Sequence, residues 1–90
     1  MTVYVDDMYA PFGRMKMCHM IADTRAELDA MADTIGVARK WIQKAGTYEE
    51  HYDVAMGARK KAVKAGAIEI TTDKLVWTLV SRRNRVVSVP

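Results

Sequence analysis

The feature that most constrains this chain is the handover inside residues 15–36. An apolar run, MKMCHMIA, meets a helix start after a single aspartate. Thr24 and Glu27 stand at capping-box spacing, where each can satisfy a backbone N–H left free by a first helical turn. Leu28, Met31, Ala32 and Ile35 then recur at i, i+3, i+4 and i+7, one apolar stripe. Gly36 is placed to close the helix in a left-handed turn. The spacing predicts a helix over 25–35, entered from a strand that reads as buried on both faces.

The rest of the chain repeats that alternation. TVYVDD is a β-rich run stopped by two acids, a first strand. APFGR has Pro11 and Gly13 at the second and fourth places of a type I turn. VARKWIQ reads as a third strand, and KAGTYEEHY as a polar connector. Asp53 suits the cap of a second helix over 54–65, closed by Gly66. That helix carries Arg59, Lys60, Lys61 and Lys64, read as a solvated face over a face of Ala55, Ala58, Ala62 and Ala65. AIEI is a short fourth strand. Thr71 or Thr72 caps a third helix, with Leu75, Val76, Leu79 and Val80 inward, and the tail RRNRVVSVP can pair as an edge or dock on a partner.

Strands alternating with helices predict one α/β domain over residues 1–90, a small sandwich. About four strands form its mostly parallel or mixed sheet, with three helices. The balance of 50% hydrophobic and 28% charged residues is that of a globular protein and argues against disorder. No apolar run reaches the roughly 20 residues of a membrane helix. The first residues are acidic where a secretion signal is basic, and the lone Cys18 forbids an intramolecular disulfide. A cytoplasmic protein with no membrane partner is therefore expected. The net charge of +3 permits an anionic partner without demanding one.

In parallel sheets, sites gather beyond the carboxyl ends of the strands. Asp6 and Asp7 end the first strand and Asp23 the second, while His51 and Asp53 lie in the connector past the third. If those strands are parallel, four acids and a histidine converge on one sheet edge. Clustered carboxylates resist ionising together unless a cation sits among them, and magnesium or manganese takes such oxygen ligands together with substrate phosphates. A nearby histidine then moves a proton during metal-assisted attack on phosphate. Each acid has a plainer role: Asp23 and Asp53 as helix caps, Asp6 and Asp7 as a solvated strand end. His19, between Cys18 and Met20, is either a site residue or a satisfied core histidine. Cys18 reads as a small core residue. Trp41 suits core packing better than base stacking, and Arg82, Arg83 and Arg85 can add phosphate contacts. No zinc-finger spacing, HExxH, P-loop or GxGxxG is present.

The motifs VYVDDM, GRMKMCHMIADT, IGVARKW and HYD, followed by a basic helix and AGA, resemble a family of short bacterial and phage proteins catalogued only as a domain of unknown function. The resemblance runs over roughly residues 1–70 and matches at Asp6, Asp7, Arg14, Lys16, His19, Asp23, Arg39, Trp41, His51, Tyr52 and Asp53. Similar proteins often carry histidine where this chain has Asp29, a position read as exposed. The resulting expectation assigns His19, Asp23 and His51 to catalysis and Asp6, Asp7 and Asp53 to metal. Arg14, Lys16, Arg39, Trp41 and Tyr52 are assigned to a phosphate-bearing ligand, a nucleotide or nucleic acid. The rival expectation is a non-catalytic phage or bacterial accessory protein that binds a host protein or sequesters a small molecule. A homo-oligomer is compatible with either.

Overall fold

The computed structural model of the protein describes residues 2–87. Their strands are β1 (Val3–Val5), β2 (Ala10–Phe12), β3 (Met15–Ala22), β4 (Tyr52–Ala55) and β5 (Ile68–Glu69). The helices are α1 (Arg25–Ile35), α2 (Met56–Lys64) and α3 (Thr72–Val87), with one 3₁₀ turn at Arg39–Trp41. The result is a small α/β domain with a mixed five-stranded sheet and three helices. No helix of the described residues is long and apolar enough to cross a membrane.

The long strand β3 organises the sheet. It pairs antiparallel with β4 along one edge and with both β1 and β2 along the other. Met20 shows this directly, facing Val5 on one side and Tyr52 on the other. A two-residue turn, Gly13–Arg14, joins β2 to β3, with Gly13 at φ +60° as a tight hairpin's first position requires. Pro11 therefore lies within an edge strand rather than in the turn, where its missing N–H costs no central ladder bond. Only β1 and β5 run parallel.

Alternation along β3 divides its side chains between two faces. Cys18, Met20 and Ala22 join Val3, Val5, Tyr52 and Val54 in a core closed by Leu28, Ala32 and Ile35 of α1 and Ala62 of α2. The capped helix forms as its spacing demands. The Thr24 hydroxyl oxygen accepts the Glu27 N–H at 3.2 Å and donates to the Glu27 carboxylate at 2.8 Å. Gly36 closes the helix at φ +80°.

Several expectations need correction. VARKWIQ is not a strand: it makes the 3₁₀ turn and then one bridge, Gln43 to His51. Trp41 is exposed, with the Lys40 ammonium 5.2 Å over its ring. Asp53 does not cap α2. It lies inside β4, and α2 begins at Met56 without a side-chain cap. Arg59 is buried rather than solvated, because its guanidinium reaches Glu69 at 2.9 Å and the Asp6 carbonyl at 2.8 Å. Asp29 is buried too, for a reason given below. Among the α3 side chains described, those of residues 72–83, only Leu75 is buried, whereas Val76, Trp77 and Val80 are exposed. The basic tail continues α3 to Val87, and residues 88–90 lie outside the described residues, as does the Arg85 side chain.

Candidate functional site

The antiparallel pairing of β1 with β3 redistributes the acids. Asp23 donates its backbone N–H to the Thr2 carbonyl, at the end of β1 opposite to Asp6. Four residues of extended chain, about 13 Å, separate those two ends. Asp6 instead meets His19, in the middle of β3, and the meeting depends on a distortion of the sheet. Between the pairs Val5↔Met20 and Ala10↔Met17, β3 spends two residues (18, 19) and the facing strand spends four (6–9). The excess forms a bulge, the device by which strands re-aim side chains. Within it Tyr9 takes a left-handed backbone, φ 47°, which costs a non-glycine residue about 1 kcal/mol or more. Its ring lies under the buried Arg59, which anchors the bulge through the Asp6 carbonyl.

The bulge turns the Asp6 carboxylate inward, where it is fully buried. One oxygen accepts the His19 backbone N–H at 2.7 Å and the Met8 N–H at 3.4 Å; the other sits 2.7 Å from His19 Nδ1. Burial alone would push this carboxyl up, but the hydrogen bonds from the His19 ring and from the two backbone N–H groups outweigh it and hold Asp6 below the usual carboxylate range. The same hydrogen bond raises His19 above its ordinary value against the opposing effect of burial, with further help from the Asp6 and Asp53 charges. Thus Asp6 fixes the ring and leaves Nε2 as the atom that faces outward.

The motif HYD supplies the other half. Along the extended backbone that runs from the His51 bridge into β4 its three side chains alternate, so His51 and Asp53 share one face and Tyr52 points to the other. His19 stands directly across from Asp53 in the β3–β4 register. Asp53 Oδ1 lies 3.4 Å from His51 Nε2 and 3.9 Å from His19 Nε2. The two imidazoles meet edge to face, centroids 5.3 Å apart. His51 Nδ1 is 2.7 Å from the Glu49 carbonyl oxygen, so a proton there also leaves its Nε2 facing the cluster.

Tyr52 turns into the core and donates its hydroxyl to the buried Asp29 at 2.6 Å, an acid also held by Arg25 at 3.0 Å. Burial and the adjoining Asp29 carboxylate push the Tyr52 phenol up to about 12. This bond ties β4 to α1 and keeps His51 and Asp53 on the outer face. It also explains why Asp29 is buried, and it removes Tyr52 from contact with a ligand at the cluster.

His19, His51 and Asp53 thus offer three ligand atoms within 4.8 Å of one another. A metal about 2.1 Å from each needs them roughly 3.0–3.4 Å apart. The Asp53–His51 spacing already meets that, and the remaining spacings are wider, 3.9 Å from Asp53 to His19 and no more than 4.8 Å for any pair. In chemistry the set is two imidazoles and one carboxylate, and each imidazole is oriented through its other nitrogen as metal-bound histidines are.

The remaining sequence candidates lie elsewhere or do other work. Asp7 accepts the Thr72 N–H at 3.0 Å and the Thr72 hydroxyl at 3.2 Å, which fastens α3 to the end of β1. Arg39 is held by Asp33 through two hydrogen bonds of 2.7 and 3.1 Å. Arg14 and Lys16 are exposed at the β2–β3 hairpin. Beside the cluster lies a feature that sequence reasoning missed, a cavity of about 190 Å³ whose lining includes Met8, Phe12 and Met17 with His19 and Asp53. One signal for the cluster was present: on a strand, the i, i+2 spacing of His51 and Asp53 puts both on one face.

The fold and the cluster define a class, a small mixed-sheet α/β domain with a two-histidine, one-carboxylate group on the outer face of adjoining strands. The chain belongs to the family described as a protein of unknown function (DUF4031), whose model matches residues 3–82 and so spans every cluster residue. No curated protein and no solved structure matches it.

Proposed function

We propose that this is a small cytoplasmic domain that binds a divalent metal ion through His19 Nε2, His51 Nε2 and Asp53. The ion in turn holds a phosphate-bearing ligand, a nucleotide or nucleic acid, and assists its hydrolysis. The observation that carries the reading is the convergence of those three atoms while both Nδ1 atoms face fixed partners, Asp6 and the Glu49 carbonyl. The roles differ from those expected of the sequence: imidazoles hold the ion, and Asp6 positions His19 instead of binding metal. Two nitrogen donors suit manganese, iron or zinc better than magnesium, which favours oxygen ligands. Three protein ligands leave positions open for water and a phosphate oxygen. An ion held by His19, His51 and Asp53 would lower the pKa of a bound water and so supply a nucleophile for phosphoester hydrolysis.

The test is uptake of Mn²⁺ and Zn²⁺ by the purified protein, followed by turnover of a panel of nucleotides and short nucleic acids. Uptake should be stoichiometric and lost in His51→Ala, and hydrolysis should depend on the bound ion. A protein that takes up neither metal refutes the reading.

A second reading, a non-catalytic accessory protein that binds a host protein, draws on Val76, Trp77 and Val80, which leave an apolar stripe of α3 exposed. Under it, Trp77→Ala abolishes capture of the partner while His51→Ala leaves capture intact.

A further inference from the structure

The metal cluster does not stand alone on its face. The adjoining cavity is lined by His19 and Asp53 together with Met8, Pro11, Phe12 and Met17. Two of these are costly to leave in water: Phe12 is 68% exposed and Met8 is 50% exposed. Both are placed there by backbone features already described. Phe12 ends β2, next to the tight turn, and Met8 stands in the bulge, its N–H tied to the carboxylate that orients His19. The distortion that fixes the histidine therefore also places Met8 beside it. The cavity lining thus combines polar groups suited to an ion and its anion with side chains suited to a flat or apolar group.

We infer that the ligand of this site carries one planar aromatic group, a nucleobase, which lies against Phe12 and Met8 while the adjoining phosphate meets the metal. The inference rests on the metal and phosphate reading above and narrows it, since it makes the base a determinant of binding and the phosphate alone a weak ligand. Stacking on an aromatic side chain is sequence-tolerant, so the four bases should bind with similar strength. A thioether such as Met8 adapts to rings of different size. A free mononucleotide and the end of a nucleic acid share this chemistry, and comparison of the two decides the source.

The experiment uses the full chain loaded with Mn²⁺ and measures calorimetric affinity for inorganic phosphate, ribose 5-phosphate, nucleoside 5′-monophosphates and a 5′-phosphorylated tetranucleotide. Either base-bearing probe should bind roughly five- to a hundredfold more tightly than ribose 5-phosphate, the range that stacking supplies. Phe12→Ala should remove most of that preference and leave both ribose 5-phosphate and Mn²⁺ affinity unchanged. Met8→Ser gives the same comparison through a second wall residue should the first variant fold poorly. Equal binding of ribose 5-phosphate and the base-bearing probes overturns the inference, as does a preference that survives both substitutions. Failure of Mn²⁺ uptake itself is a separate result, which strikes the underlying metal reading before any nucleotide is added.

Discussion

Substituting Asp6 by Asn isolates the link on which the cluster depends, because shape is kept while charge and one acceptor are lost. The buried Asn has two orientations. In one, its amide NH₂ faces the His19 and Met8 N–H groups, donor against donor, which costs about 1–3 kcal/mol per unsatisfied buried group. In the other, its oxygen keeps those two N–H groups and its NH₂ faces His19 Nδ1. The second is favoured, and it moves the ring proton from Nδ1 to Nε2, the atom that must be bare to bind metal. Losing a partner of this kind costs a metal site roughly 10- to 100-fold in affinity, about 1.4–2.8 kcal/mol. Two measurements follow the effect independently. Calorimetry with Zn²⁺ and Mn²⁺ gives the affinity loss, and nitrogen-15 spectra of the imidazole report which nitrogen carries the proton. Circular dichroism confirms that the variant is folded. An Asp6→Asn protein that binds both metals within twofold of the parent, with His19 still protonated at Nδ1, would refute the reasoning.

Other outcomes follow from the same contacts. In the metal-free protein the Asp6 carboxyl is lowered and His19 is raised. The acid's contribution is present above the unfolded carboxyl value and fades as pH falls through the folded one. The histidine's is present below its unfolded value and fades as pH rises through the folded one. Urea midpoints should therefore peak between the two folded values, and Asp6→Asn should flatten both flanks. Tyr52, pushed up from 10.0 to about 12, keeps its proton more tightly when folded. Stability should thus fall as pH rises from 10 towards 12, by at most ~1.4 kcal/mol per pH unit, and Tyr52→Phe should lack that decline in an alkaline denaturation series. At neutral pH, Tyr52→Phe should itself cost about 1.5–3 kcal/mol, the range for a hydrogen bond to a charged group, read from chemical denaturation. Gly36→Ala forces a side chain into the left-handed cap at φ +80° and should lower stability by about 1 kcal/mol in the same assay.

What the chain determines by itself is local. The Thr24–Glu27 cap, the Leu28–Ile35 stripe and the Gly36 stop all act within a few residues, so α1 is legible to the residue. The apolar β3 run, the short β5 and the three helices follow from similar short-range signals. His19 stands out as an imidazole in an apolar run, and Asp6, His51 and Asp53 are picked out with Asp7 and Asp23 by the rule that sites gather at strand ends. Their relation is not. Whether β1 runs with or against β3 is a matter of long-range pairing, and the antiparallel choice sends Asp23 to the end of β1 opposite Asp6. Whether HYD is a connector or a strand depends on the neighbour that β3 offers it, and the extended choice puts His51 and Asp53 on one face and Tyr52 on the other. The bulge at 6–9 is decided only when β1 and β2 must share one partner, with four linking residues set against two of β3, and that mismatch carries Asp6 beneath His19. Helix signals lie along the chain, whereas strand register and bulges exist only between segments, so tertiary pairing alone could assemble this cluster.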